Sequence, residues 1–211
     1  MAISPGHTAP DQAAHDAQTL AFYDSEARKY AARGRGDAAV NKRLERFLGK
    51  LPRGGRILEL GCGGGQDAEA MIAAGFDVTP TDGSAELARV AAERLGRPVS
   101  VMRFEDLDEH DLYDGVWAHA CLLHVPQARL ADVLAKIHAA LKPGGLFYAS
   151  YKEGEGGERD ALGRYYNFPT RDVLARTYRE SALWYDLLLD VSPGGGYDGV
   201  ARTFLHVTVR K

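Results

Sequence analysis

Cysteine is nearly absent, with Cys62 and Cys121 the two in 211 residues. Two thiols so far apart supply neither a disulfide framework nor a thiolate metal site, so reduced thiols and no metal are expected. Surplus positive charge is missing too. Lys and Arg number 26 against 29 Asp and Glu, a formal net charge of -3, which offers no general attraction to nucleic-acid phosphates or an anionic membrane. No apolar run approaches the roughly 20 residues that span a bilayer. The opening MAISPGHTAPDQAAHDAQTL lacks a basic start followed by an apolar stretch. These absences point to a soluble, cytoplasmic chain with a small neutral or amphoteric ligand and no nucleic-acid or membrane partner. No internal repeat is present, and the monomer or homodimer question stays open.

What is there is apolar patterning. Hydrophobic residues make up 45% of the chain, enough for one sizeable core and too little length for two comfortable domains. Residues 1–18 read as a flexible tail and 19–211 as a single domain, with 19–51 an N-terminal helical cap. Leu44, Phe47, Leu48 and Leu51 follow the i, i+3, i+4, i+7 template of an amphipathic helix, which Pro52, Gly54 and Gly55 stop. Strands are then expected at 56–60, 77–82, 98–104, 113–120 and 146–151, with helices in QDAEAMIAA, SAELARVAAERL and PQARLADVLAKIHAALK. The charged, glycine-rich stretch 152–163 reads as a mobile loop. Beyond it come a helix in PTRDVLARTYRES, a strand over 183–191, a wide turn in SPGGGYDG and a closing strand over 204–209. Strands joined by helices lie parallel with right-handed crossovers; the last two, joined without one, should be antiparallel at an edge. The fold class is α/β, a doubly wound, mostly parallel sheet with helices on both faces.

In such a sheet the ligand sits outside the carboxyl ends of the strands. The residues just after the expected strands are Glu59, Gly61, Cys62, Gly63 and Gly65; Asp82, Gly83 and Ser84; Glu105, Asp106 and Leu107; His119, Ala120 and Cys121; and Tyr151 and Lys152. Glycines after the first strand let a ligand approach the backbone. The dinucleotide fingerprint begun at Gly61 needs glycine at 66, where this chain has Gln66, and a P-loop Gly-Lys-Ser/Thr is also missing. A carboxylate at Glu59 repels phosphate and attracts an ammonium. Asp82, at the end of the second strand, is placed to accept hydrogen bonds from ribose hydroxyls.

A phosphate-free nucleoside carrying an ammonium is S-adenosylmethionine. ILELGCGGGQDA, VTPTDGS, RFEDLDEHDLYDGVWAHACLLHVP and LKPGGLFYAS together resemble the successive motifs of class I S-adenosylmethionine-dependent methyltransferases. FYDSEARKYA resembles the short N-terminal helix that folds over the cofactor in that family, and KEGEGGERDALGRYYNF a segment of its small-molecule and tellurite-resistance-type members. The resemblance implies seven strands in the order 3-2-1-4-5-7-6, with the last antiparallel. It also implies that Gly61, Gly63 and Gly65 line the methionine part and that Glu59 organises its amino group. Asp82 would bind the ribose, and Glu105 or Asp106 the adenine, with Asp106 preferred because Leu107 follows it. His119 and Ala120 would lie beside the sulfur, and Tyr23 and Tyr30 would close the site from above. S-adenosylhomocysteine would be the product and a small molecule the acceptor.

Plainer readings stand beside these. The glycines make a tight turn, Asp82 or Ser84 caps the following helix, Asp106 belongs to a solvated acidic run, and His124 is a structural residue at a helix entry. Trp117 reads as core and Trp184 as lining the edge strands. Cys62 and Cys121 have a redox role only if they come within bonding reach. Lys152, Arg164, Tyr165 and Tyr166 form either a basic, aromatic substrate wall or a solvated loop. His119, His124, Tyr151 and Tyr165 are the candidate general bases. The rivals to methyl transfer are a nicotinamide oxidoreductase, against which Gln66 and Glu59 speak, and a cofactor-binding sensor or partner protein without turnover.

Overall fold

The computed structural model describes residues 15–33, 38–197 and 199–211, with the backbone alone for 38–41. The part of the expected tail before residue 15 lies outside them. Helix α1 (Ala17–Ala31) starts two residues earlier than expected because Asp16 caps it, its carboxylate accepting the Thr19 N–H at 2.8 Å. Helix α2 (Ala38–Leu48) follows, and then the chain alternates: β1 (Arg56–Leu60), α3 (Gln66–Ala73), β2 (Asp77–Asp82), α4 (Ala85–Leu95), β3 (Ser100–Val101), β4 (Tyr113–Ala118), α5 (Gln127–Ala140) and β5 (Leu141–Lys152). A hairpin of β6 (Glu158–Arg159) and β7 (Tyr165–Tyr166), helix α6 (Arg171–Ser181), and strands β8 (Tyr185–Gly195) and β9 (Ala201–Arg210) complete it.

Seven strands form one sheet in the order β3-β2-β1-β4-β5-β9-β8. The first five are mutually parallel, while β9 runs antiparallel between β5 and β8. This is the expected topology, the numbering displaced by the small hairpin. One face buries Leu44 and Phe47 of α2 and Ala68 and Met71 of α3 against Ile57, Trp117 and Tyr148. The other buries Leu130, Val133, Leu134 and Ile137 of α5 and Leu174 and Tyr178 of α6 against Leu58, Val116, Phe147 and Val207. Among the described residues no helix is long and apolar enough to cross a membrane.

Several expectations about element bounds need correction, among them β5, which begins at Leu141 and not at residue 146, and β8, which runs to Gly195 into the stretch expected as a wide turn. The third strand is two residues long instead of seven, because it pairs only with β2 at the sheet edge, and residues 104–106 wind into a 3₁₀ turn. The stretch 152–163, expected as a loop, carries β6 and leads into β7, which pair Glu158 with Tyr166 and Arg159 with Tyr165. The fourth strand ends at Ala118 and not at Ala120, for Ala120 takes φ of +54° and its N–H donates to Ser150 Oγ at 2.9 Å. At the other edge β8 runs on through Pro193, where no second neighbour asks for the missing N–H.

Candidate functional site

The strand ends converge on one crevice with two lobes. The apolar lobe is walled by Leu20 of α1, Leu87 of α4, and Met102 and Phe104 after β3, with Asp82, Gly83, Tyr23 and His124 at its rim. The polar lobe, about 320 Å³, is lined by Glu59, Cys62, Gly64, Gln66, Asp67, Arg33 and Tyr197, a size in the range of ligand clefts. Tyr30, Gly61, Gly63, His119 and Ala120 line both, so the lobes are continuous.

The turn after β1 is shaped by the protein's own packing as much as by any ligand. Gly61 has φ of +63°, and a Cβ there would stand 2.5 Å from that of Cys121, so only glycine lets the turn after β4 close up against the turn after β1. Gly65 (φ +80°) begins α3, and its α-carbon faces Ala91 of α4 instead of the crevice. Asp82 fixes the turn from the side: Oδ2 accepts the Gly63 N–H at 2.8 Å and Oδ1 the Ser84 N–H at 2.9 Å. Burial pushes the Asp82 carboxyl up to about 6, although these two N–H groups oppose the rise. Capping α4 falls to Ser84, whose Oγ accepts the Leu87 N–H at 3.1 Å and donates to Asp24.

Glu59 is buried at the end of β1, between Pro80 of β2 and Trp117 of β4. Trp117 is core, as expected; it stacks on Tyr148 at 4.1 Å and donates its indole N–H to Asp67 at 2.9 Å. His119 Nδ1 lies 3.5 Å from that Asp67 carboxylate. Cys62 and Cys121 are both buried and free, and burial pushes both thiols well up, Glu59 and Asp82 adding to the rise. Such thiols are poor nucleophiles.

Tyr23 and His124 meet across the apolar lobe. Tyr23 Oη lies 2.9 Å from His124 Nε2, and His124 Nδ1 lies 2.5 Å from the Tyr165 carbonyl oxygen. Burial lowers the imidazole to about 4, so at neutral pH it carries one proton. The carbonyl can only accept, so that proton sits on Nδ1 and Nε2 accepts from Tyr23. Arg164 Nη1 approaches the same phenol oxygen at 3.4 Å.

Several residues singled out in the sequence lie elsewhere. Tyr151, proposed as a base, is buried in the core with its hydroxyl 3.0 Å from that of Tyr178, and burial pushes it far up. Asp106 closes its own 3₁₀ turn by accepting the Arg103 N–H at 3.3 Å, Leu107 is in the core, and Glu105 pairs with His15. Lys152 is buried with Nζ 3.9 Å over the Tyr166 ring, Arg164 is buried in a fork on Asp160 (2.6 and 3.0 Å), and the Tyr165 ring packs beside Gly157. None of Gly65, Ser84, Glu105, Asp106, Leu107, Tyr151, Lys152, Arg164 or Tyr165 is among the residues lining the two lobes.

Residues not anticipated take their place. Met102 and Phe104 lay hidden in a stretch read as strand. Arg33 and Tyr197 come from distant parts of the chain: Arg33 donates to the Tyr197 carbonyl at 3.1 Å and lies 3.8 Å over its ring, while Tyr197 stacks on Tyr30 (5.4 Å) and donates to Glu26 at 3.2 Å. A Gly-rich turn gave no local sign of this. Asp67 was legible only as an acid in the first turn of a helix.

Comparison with known proteins agrees with this architecture. A family model described as a methyltransferase domain matches residues 27–183. A ubiquinone biosynthesis O-methyltransferase from Xanthomonas axonopodis pv. citri is 35% identical over 116 residues, 51% of this chain and 48% of the relative. The chain thus spans about half the length of that relative. The crystal structure of Burkholderia thailandensis 1,6-didemethyltoxoflavin-N1-methyltransferase, with bound 1,6-didemethyltoxoflavin and S-adenosylhomocysteine, superposes with a TM-score of 0.71 at 26% identity, covering 96% of this chain and 92% of that one. Haemonchus contortus phosphoethanolamine N-methyltransferase 2 in complex with S-adenosyl-L-methionine shares the fold (TM-score 0.69, 16% identity, 92% and 56% coverage).

Proposed function

The chain belongs to the S-adenosylmethionine-dependent methyltransferase family, and from that premise we propose that it transfers a methyl group to a small-molecule acceptor bearing an O–H or N–H proton. One observation carries the reading: a buried acid lines each lobe of the crevice, Glu59 the polar and Asp82 the apolar one, and the glycine pattern that cradles a pyrophosphate is absent.

The residues fit the cofactor. Glu59 would take its ammonium and Asp82 its ribose hydroxyls, while Leu20, Leu87, Met102 and Phe104 offer the apolar slot that adenine requires. Arg33, at the far side of the polar lobe, is the cation suited to its carboxylate. Bound there, the sulfonium supplies an electrophilic methyl, so the protein has mainly to align the acceptor and exclude water. Tyr23 and His124 manage the acceptor's proton. Tyr23 Oη takes it and passes its own to His124 Nε2, which the Tyr165 carbonyl holds in the receptive tautomer. A hydroxyl, or an N–H of an amide or electron-poor ring, becomes strongly acidic as its heteroatom gains a methyl group, so for such acceptors an imidazole lowered to about 4 is basic enough. His119, paired with Asp67, is the second candidate base.

Titration tests the cofactor reading: S-adenosylhomocysteine should bind and NADH should not. Methyl transfer from labelled cofactor to a metabolite pool then separates an enzyme from a sensor. Binding without transfer to any fraction would support the sensor, and NADH binding would overturn the reading.

A further inference from the structure

One face of α1 is fastened to the β6–β7 hairpin at successive turns. Asp16, while capping the helix, also receives Arg159 Nη1 and Nη2 of β6 at 2.9 and 2.7 Å. Thr19 Oγ1 accepts the Tyr165 N–H of β7 at 2.9 Å. Arg164, clamped on Asp160, lies 4.9 Å over the Phe22 ring and reaches Tyr23 Oη. The same helix supplies Thr19, Leu20 and Tyr23 to the wall of the apolar lobe. The β6 arm of the hairpin has little hold of its own, whereas the β7 arm is fixed, with Tyr166 buried and the Tyr165 carbonyl on His124 Nδ1. The strands are two residues each, Glu158 and Arg159 are exposed, and Gly154, Gly156, Gly157 and Gly163 surround them. Such an arm opens at the low end of a fold's local stabilities.

We infer that the β6–β7 hairpin is a clasp on α1, and that its release through the Asp16–Arg159 pair sets how fast the cofactor enters and leaves the crevice. The inference rests on the crevice being the cofactor site, as proposed above. It gives the glycine-rich hairpin a duty distinct from acceptor recognition.

A clasp and an ordinary contact differ kinetically. A contact formed only in the complex slows dissociation; a gate that is closed with and without ligand slows association and dissociation alike. Arg159 is partly exposed and lies outside the crevice lining, and although its partner Asp16 belongs to that lining, changing Arg159 leaves every wall side chain in place. The test measures association and dissociation rates of labelled S-adenosylhomocysteine with the full chain, its Arg159→Ala and Arg159→Gln variants, and Arg159→Lys, with a melting curve for each. Release of an exposed ion pair should raise both rates about threefold in the first two variants and leave Kd within about twofold, with partial recovery in Arg159→Lys. Unchanged rates in folded variants would overturn the clasp and leave the cofactor reading intact. Faster dissociation alone would make Arg159 a simple contact and also overturn it. A parent chain that binds no S-adenosylhomocysteine would overturn the cofactor reading and the clasp together.

Discussion

Asp82 Oδ2 accepts the Gly63 N–H at 2.8 Å, so the acid at the end of the second strand holds the shape of the turn after the first. On the proposed reading, cofactor anchoring and turn geometry both depend on this one side chain. Asp82→Ala should weaken S-adenosylhomocysteine binding by at least about tenfold, or 1.4 kcal/mol, in isothermal titration; equal affinity would refute the ribose assignment.

The same acid predicts a pH profile. Its carboxyl is pushed up to about 6 by burial, and the ionised form is the better acceptor for hydroxyls. Affinity for S-adenosylhomocysteine should fall as pH drops through 6, and the fall should vanish in Asp82→Asn. For stability the sign is opposite: from its usual value near 3.8 to about 6 the folded chain keeps a proton that the unfolded chain has released. This group's contribution is thus lost as pH rises through that window.

Two buried histidines work against it in acid. His124 and His206 are each lowered to about 4, chiefly by burial, so the unfolded chain binds protons there first. Their contribution is present above about 6.5 and is lost as pH falls toward 4. Melting temperature should drop over that range, and less steeply in His206→Gln; an unchanged slope in the variant would count against the buried neutral imidazole.

Gly61 and Gly75 separate clash from strain. Both have positive φ, but an added Cβ meets Cys121 at residue 61 and nothing within 4 Å at residue 75. Gly75→Ala should cost about 1 kcal/mol of stability, and Gly61→Ala should cost at least about 2 kcal/mol more, both measured by denaturant unfolding. Equal costs would mean that the two turns can part freely.

Removing the phenol or imidazole of the pair across the apolar lobe tests the proton route. Tyr23→Phe and His124→Gln should each lower kcat about a hundredfold, and the double variant should be little worse than either, since the two act as one unit. Additive losses would show that the two residues act separately.

The sheet was legible because the apolar pattern is strong where an element packs against the core: β1, β2 and the one-face-buried helices α3 to α5 fell within a residue or two of expectation. It was misleading at the edge, where Ser100 and Val101 have a single neighbour and Val101 stays 59% exposed. There the β-branched pattern of 98–104 met no partner to complete it. Acids and glycines at strand ends pointed to the crevice because one residue type does one thing there. The wall after the third strand was hidden for a related reason: Asp106 is polar, yet its carboxylate accepts the Arg103 N–H of its own turn, and the apolar Met102 and Phe104 line the lobe. Tyr197 could not be found locally at all, since what it does depends on α1 lying beneath it.

That last contact bears on the order in which the molecule becomes competent. The ring of Tyr30, in the first helix, is seated on Tyr197, which lies in the turn between the last two strands. A ribosome releases the start of the chain long before that turn, so during synthesis the roof over the polar lobe waits for its final support. A nascent chain held before residue 197 would already have most of its sheet, and would hold a nucleoside only loosely until the closing hairpin emerged.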